Sequence, residues 1–434
     1  MEPTQKALAE YFGKHRILIA DSNASSRTGL ARALGELGAK THQMTLVDSY
    51  EWAEQIMEQS QPTMLVTDFN LGPVGAFDLF SLPKYSAVPM HDKLSVVVTS
   101  NTSQAAVAQA AEGDVDIYIA KPYSLESFWA AMRSGAALKL QPTDYLKAIE
   151  DGKRHLADSN LGRAIEVFEH ATSLDGKPAL AYFYHGYTRA LGNALEDAQN
   201  SYKKGLEYNH NHYKCLLGLY ETLMSQKRNN DAYIVLRQIT RHFPLNAKRF
   251  RSVLWLAITT GHYEDIEQYY QIFLELDEKN EELVRYTCAS LITAGKFFLK
   301  KGEIERATSV FQKAGISAGG KGQFLTEIIT TLVAANLADE ADKYLRRFPK
   351  ETKDAVEYLS MDYLVMSKTM PIQITLDHGR KLLREGKYHT LIDKILVNTM
   401  LEAGLNDSAE DLARDASRRW PDLAPEFLEM KRKS

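Results

Sequence analysis

The chain has 434 residues, 44% of them hydrophobic and 25% charged, which leaves room for two or more packed domains and excludes a disordered or fibrous polypeptide. A formal net charge of −4 gives no general attraction to nucleic acid, and two cysteines, Cys215 and Cys288, are too few for a disulfide scaffold and fit a reducing compartment. The first residues lack a basic-then-apolar signal pattern, and no run approaches the ~18 apolar residues of a membrane helix, so the expectation is a cytoplasmic protein without a membrane partner.

In chain order, residues 1–13 read as a short leader of about one helical turn. Residues 17–20 form an apolar run that fits a strand, and 25–37 a helix stopped by Gly38. A second strand is expected over 41–46, and a helix over 49–59 with Trp52, Ile56 and Met57 on one side. The run 63–68 ends abruptly in Asp68, followed by Asn70, Gly72, Pro73 and Gly75, which reads as a buried parallel strand delivering an acid to the sheet rim before a turn. Residues 72–92 hold Pro73, Pro83 and Pro89 and one short helix over 76–82. Residues 95–98 are a strand leading into Thr99, 104–112 a helix, 117–120 a strand leading into Lys121-Pro122, and 124–138 a helix. This alternation predicts an α/β doubly wound parallel sheet of five strands.

In such a sheet the residues that follow the strands converge on one edge, where ligands of open α/β sheets bind. Asp21, Asp68, Thr99 and Lys121 are those residues here. Two carboxylates with the Asn70 backbone carbonyl offer hard oxygen ligands suited to Mg²⁺. A hydroxyl and an ammonium beside them suit the oxygens of a phosphoryl group in transfer.

With Arg27 opening the first helix and Tyr118 three residues before Lys121, residues 14–138 resemble the CheY-like receiver domain of bacterial two-component response regulators. The resemblance implies that Asp68 is the phosphoacceptor and that Asp21 helps to hold Mg²⁺. It further implies that Thr99 and Lys121 bind the phosphoryl oxygens, that Tyr118 reorients on activation, and that a histidine kinase or phosphotransfer protein is the donor. Two positions depart from the family pattern. Ser22 stands where a second acid is usual, and a neutral hydroxyl is a weaker ligand, so the Mg²⁺ site is expected to be weakened. Gly72-Pro73 stand where the proline normally comes one residue earlier.

Residues 139–144, with Pro142 and the helix-capping Thr143 and Asp144, read as a linker. Beyond them the strand signal vanishes and helical period fills 145–434. Gly152, Gly186 and Tyr220 are 34 apart, as are Ala164, Ala198 and Ala232, then Phe168, Tyr202 and Leu236, then Ala171, Gly205 and Ile239. Small residues at such places let two helices approach, and the large one fills the layer between hairpins. The pattern resembles the tetratricopeptide repeat (TPR). Gly295, Ala307, Phe311 and Ala314 restore it after a seven-residue insertion, Ala341 lies 34 beyond Ala307, and Ala409, Ala413, Ala416 and Pro421 fit a last unit, for seven or eight hairpins in all. A solenoid of this kind presents a long inner surface. Ile149, Lys153, Phe183, Tyr187, Leu217 and Glu221 are assigned to it, a mixture that suits a peptide or helix better than a polyanion.

Residues 315–322 nearly spell a phosphate-binding loop, but lack the final Ser or Thr and follow a helix rather than a strand. His210, His212 and Cys215 fit an inter-helix loop better than a metal site. The expectation is therefore an atypical response regulator and not an enzyme. Phosphorylation of Asp68 would control protein binding by the repeats, with a receiver-mediated homodimer as one route. The alternatives are a phosphorylation-independent scaffold, in which the receiver only docks, and a transcription regulator.

Overall fold

Strands β1 (Ile17–Ala20), β3 (Met64–Thr67) and β4 (Leu94–Thr99) are buried at every residue. Central parallel strands are covered on both faces, which is why their sequences are almost continuously apolar. In the computed structural model, which describes residues 4–68, 71, 77–80, 82–86, 88–89, 92–100, 115–243, 247–275 and 279–430, they join β2 (Met44–Val47) and β5 (Ile117–Ala120) in one parallel sheet of order β2-β1-β3-β4-β5. Ile17, Ile19, Met64, Val66, Leu94, Val96, Val98, Ile117 and Ile119 pack into one core with helices α2 (Ala24–Glu36) and α6 (Leu125–Leu140). Leu18, Ala20, Leu65 and Val97 face the other way, against α3 (Tyr50–Ser60) and the short helices α4 (Phe77–Phe80) and α5 (Pro83–Ser86). The expected 104–112 helix lies outside the described residues.

Three local expectations are corrected. The leader is a ten-residue helix, α1 (Gln5–Lys14), capped by Thr4 Oγ1, which accepts the Ala7 N–H at 3.3 Å. Its Leu8, Tyr11 and Phe12, at helical spacing, dock into the first core. Gly38, at φ +110°, lets α1 come close, since a Cβ there would lie 2.8 Å from Ala9 O. The second strand begins only at Met44, after a 3₁₀ turn over Thr41–Gln43. Trp52 is 60% exposed, because α3 buries Tyr50, Ala53 and Met57 instead.

Helix α6 runs on to Leu140, and α7 (Asp144–Ala157) starts where Thr143 Oγ1 accepts the Leu146 N–H, so only 141–143 separate them. Lys139, in the last turn of α6, holds Asp116 at 2.6 Å with its own side chain only 8% exposed. The chain divides into two compact units, Met1–Arg249 and Phe250–Ser434, so the sheet and the first three hairpins belong to one unit.

In the first unit those hairpins are α7 with α8 (Leu161–Ala171), α9 (Ala179–Leu191) with α10 (Leu195–Tyr208), and α11 (Tyr213–Ser225) with α12 (Asn229–His242). The fourth, α13 (Ala247–Thr259) with α14 (Ile266–Glu275), spans the division. In the second unit α15 (Glu281–Lys301) pairs with α16 (Ile304–Ser317), α17 (Gly322–Ala334) with α18 (Ala338–Leu345), α19 (Val356–Thr369) with α20 (Ile372–Arg384), and α21 (Thr390–Glu402) with α22 (Asn406–Arg419). A last helix, α23 (Ala424–Met430), follows.

The repeat is written in the backbone. Ser159, Asn193, Lys227, Gly261, Gly302 and Asn336 all have positive φ at the hairpin turn, spaced 34, 34, 34, 41 and 34 residues apart. The seven extra residues lie along α15, which starts 21 residues before its turn glycine, Gly302, where α13 starts 14 before Gly261. Small residues serve close packing: a Cβ at Gly152 would lie 2.4 Å from the Phe168 ring, and one at Gly186 2.7 Å from Tyr202. In the third hairpin this role falls to Gly218 rather than position 220, and its partner is Tyr202 of the preceding hairpin.

Gly152→Ala forces an overpacked contact and should destabilise the protein by about 1–3 kcal/mol, whereas Gly162→Ala, whose Cβ would meet nothing within 4 Å, should stabilise it by about 0.5–1 kcal/mol. Urea unfolding followed by circular dichroism checks both. His15 and His212 are held neutral, both pushed down to about 4, chiefly by burial and then by Lys14 and Lys214 respectively. Their folded pKa lies below the unfolded value, so the stability they allow above pH 6.5 should be lost as pH falls toward about 4. His212 caps α11 by accepting the Cys215 N–H at 3.2 Å, so His212→Asn keeps a capping oxygen and should flatten part of that pH slope in urea midpoints.

Candidate functional site

Backbone hydrogen bonds continue the parallel ladder one step past the strand ends and so place the polar residues that follow. The Asp21 N–H donates to Val47 O at 3.2 Å, the Asp68 N–H to Ala20 O at 2.9 Å, and the Lys121 N–H to Thr99 O at 2.7 Å. The four predicted residues Asp21, Asp68, Thr99 and Lys121 come together at this edge. Lys121 Nζ donates to Asp21 Oδ2 and to Asp68 Oδ2, both at 2.6 Å, and Thr99 Oγ1 donates to the other oxygen of Asp68 at 2.9 Å. Asp21 and Thr99 are buried, while the Asp68 side chain keeps 15% exposure and that of Lys121 22%, so the acid is reachable from solvent.

Burial opposes ionisation of Asp21, but hydrogen bonds from Lys121, Ser26 and the Asn23 N–H outweigh it and hold its carboxyl below the ordinary value. Burial likewise opposes the charge on Lys121, yet its hydrogen bonds to Asp21 and Asp68 raise its pKa above normal. Tyr118, half-buried on β5, has its hydroxyl pKa pushed up by burial and then by the charge of Asp68. Asn70 and the 72–73 turn lie outside the described residues. Ser22 is exposed.

Two residues here were missed by the sequence reading. Ser26 Oγ donates to Asp21 Oδ2 at 2.6 Å, and the Asn23 N–H to Asp21 Oδ1 at 2.8 Å. The local signal existed: Asn23 caps α2 by accepting the Ser26 N–H at 3.0 Å, and a cap with a hydroxyl three residues on is a recognisable start of a helix. That the same hydroxyl would turn back to Asp21 was not legible.

As a cation site, the set offers the two carboxylates of Asp21 and Asp68, hard donors of the type Mg²⁺ prefers. Among the described residues no three His, Cys, Asp or Glu side chains converge, so these two acids suit an ion that keeps several waters better than one enclosed by protein. The Lys121 ammonium, 2.6 Å from both, already supplies one positive charge between them.

The residues assigned to the repeat groove are divided by the structure. Tyr187 is 42% exposed, Glu221 is exposed, and Lys153, Phe183 and Leu217 are half-buried. Ile149 is a correction: it is fully buried with Phe168 and Tyr184 inside the first hairpins. The 315–322 stretch runs from the last residues of α16 through the turn 318–321 to the first residue of α17, with Gly319 and Gly320 at positive φ and Lys321 holding Glu281 at 2.6 Å.

No protein-family model matches the chain. It is 27% identical over 122 residues to a curated Rhizobium etli protein, "Probable chemotaxis protein CheY", a match that spans 28% of this chain and 92% of that protein. Among solved structures it is similar to a chain of the Naa15/Naa10 complex bound to HypK-THB (15% identity, TM-score 0.46), covering 65% of this chain and 43% of that one. It is also similar to a tetratricopeptide repeat protein from Parabacteroides merdae (14% identity, TM-score 0.30), covering 59% of this chain and 98% of that one. A five-stranded receiver fold followed by helical hairpins is the class that topology and turn spacing define. The chain joins a CheY-like receiver to TPR-like repeats.

Lys121→Met should remove the ammonium that stands between the two carboxylates. The expected result is a rise in the Asp21 pKa, read from carboxylate ¹³C shifts in a pH titration; an unchanged titration would mean that Ser26 and Asn23 alone hold the acid down.

Proposed function

We propose that this protein is a response regulator in which phosphorylation of Asp68 controls protein binding by the repeats. The observation that carries this reading is the Lys121 ammonium held between Asp21 and Asp68, with Thr99 on the remaining oxygen of Asp68, at the solvent-facing carboxyl edge of the sheet. An Asp68 oxygen attacks the phosphorus of a phosphohistidine on a kinase or phosphotransfer protein, the O–P bond forms as the N–P bond breaks, and the imidazole leaves. Asp21, Asp68 and the Asn70 carbonyl would hold Mg²⁺, which supplies positive charge against the phosphoryl oxygens. Thr99 and Lys121 then turn from the carboxylate to those oxygens, and Tyr118 follows the vacated space. The receiver in this reading spans 14–138, the linker 139–144 and the repeats 145–434. Their output is capture of a peptide or protein on Lys153, Phe183, Tyr187, Leu217 and Glu221, with receiver pairing into a homodimer as one way to gate it.

A second reading, a scaffold that is never phosphorylated, is favoured by one observation: Ser22 leaves the edge one acid short. Acetyl phosphate with Mg²⁺, followed by intact-mass measurement, separates the two. The expected result is a phosphoryl adduct on the wild type and none on Asp68→Ala, with Ser22→Asp faster than wild type. A wild type that stays unmodified while Ser22→Asp reacts would establish the scaffold.

A further inference from the structure

The second hairpin breaks a packing rule that later hairpins keep. The positions 11, 8 and 4 places before the positive-φ turn residue are buried Leu216, Leu219 and Leu223 in the third hairpin, and buried Leu325, Ile328 and Leu332 in the sixth. In the second hairpin the same positions before Asn193 hold Tyr182, His185 and Arg189. The first hairpin is polar there too, with Asp151 and His155, but no hairpin precedes it, and a terminal repeat ordinarily keeps a polar outer face. The second has a hairpin on either side, so end-capping does not account for its polar layer.

Those three side chains line a cavity of about 450 Å³ between α8, α9 and α10, inside the range of roughly 300–1,000 Å³ typical of small-molecule sites. Every side chain around it is polar. Polar groups that served packing alone would satisfy one another, and these do not. Ser201 Oγ donates its one proton to Asp197 O at 2.8 Å, so at 2.8 Å from His185 Nδ1 it accepts, and the imidazole keeps Nε2 as a bare acceptor. Burial, and then the charge of Arg189, hold His185 below its ordinary pKa and so neutral. Among the described residues, that Nε2 and Arg189 Nε are buried without a hydrogen-bond partner. Arg189 stands 3.7 Å from Asp197, too far for a hydrogen bond. Exposed Glu169, Asn200 and Lys204 complete the wall.

Two cations, Arg189 and Lys204, share this wall with two carboxylates, Glu169 and Asp197, so it is neutral overall and its signs are mixed. An anion would meet both carboxylates, and a cation both bases. A zwitterion needs the two signs in separate places, whereas Arg189 already stands beside Asp197. A hydroxyl donates and accepts at once, which suits such a wall. We infer that this cavity binds a small polyol, a sugar or sugar alcohol, through hydrogen bonds to His185, Arg189, Asp197, Asn200 and Lys204. The site lies on a different face of α9 from Phe183 and Tyr187, and it rests neither on phosphorylation of Asp68 nor on a peptide partner.

Saturation-transfer difference NMR on the full-length protein tests this, with hexoses, pentoses, disaccharides and inositol set against free amino acids and inorganic phosphate. The expected binders are polyols, with a calorimetric Kd that added salt leaves unchanged, since no net charge is neutralised. Asn200→Ala and Lys204→Gln, both at exposed positions, should each weaken the best binder by about three- to tenfold. His185→Leu with Arg189→Leu restores the pattern of the third hairpin. It should abolish binding and raise the thermal midpoint, which a purely structural polar layer would lower. Should that double variant fail to fold, the two exposed substitutions still decide the matter. Amino acids or phosphate binding in place of polyols, polyol binding untouched by Asn200→Ala and Lys204→Gln, or no signal from any probe, as for a cavity that holds water only, would each overturn the inference.

Discussion

One ammonium shared by two acids is the constraint around which the receiver is arranged. Asp21 and Asp68 follow strands that lie side by side, so their carboxylates meet at the same height on the same edge. Like charges this close disfavour ionisation unless a cation stands between them. Lys121 supplies it from the end of β5, two strands from β3 and three from β1, and the length of its side chain is what spans the distance. The arrangement holds only if the sheet is parallel and ordered β2-β1-β3-β4-β5. Reversing any one strand would carry its polar residue to the opposite edge.

That opposite edge is fixed in a different way. Lys139 reaches Asp116 there, and Tyr11 and His15 close it from α1. Helix α6 connects the two edges: it is capped by Ser124, three residues after Lys121, and its last turn carries Lys139. With 16 residues it is about 24 Å long. Only three residues then separate it from the first hairpin.

The repeats obey a separate rule, one small residue opposite one large ring. Gly152 under Phe168 and Gly186 under Tyr202 let paired helices approach until the ring fills the space a Cβ would need. A spacing of 34 residues between left-handed turns follows because each hairpin must repeat that fit on its neighbour. The long α15 absorbs seven more residues within a helix and leaves the turn geometry on either side unchanged.

The amino-acid sequence by itself determined the strand count, the repeat period and the identities of Asp21, Asp68, Thr99 and Lys121, because each depends on local patterning: apolar runs that end in polar residues, and small and large residues at a fixed interval. It also announced the missing acid at Ser22. Tertiary structure decided the rest. Residues 5–14 look too short to hold a helix alone, and only docking of Tyr11 and Phe12 against the sheet makes one. Trp52 satisfies a helical pattern, yet the face that α3 turns inward is set by the sheet beneath it. Ile149 and Lys153 are one helical turn apart, and which of them is buried depends on where Phe168 lies in three dimensions. The turn of Ser26 back to Asp21 and the approach of Lys153 and Lys214 to the Tyr184 ring are contacts between separate elements. Periodicity along a chain records which face a residue occupies, and only the packed fold records what that face meets.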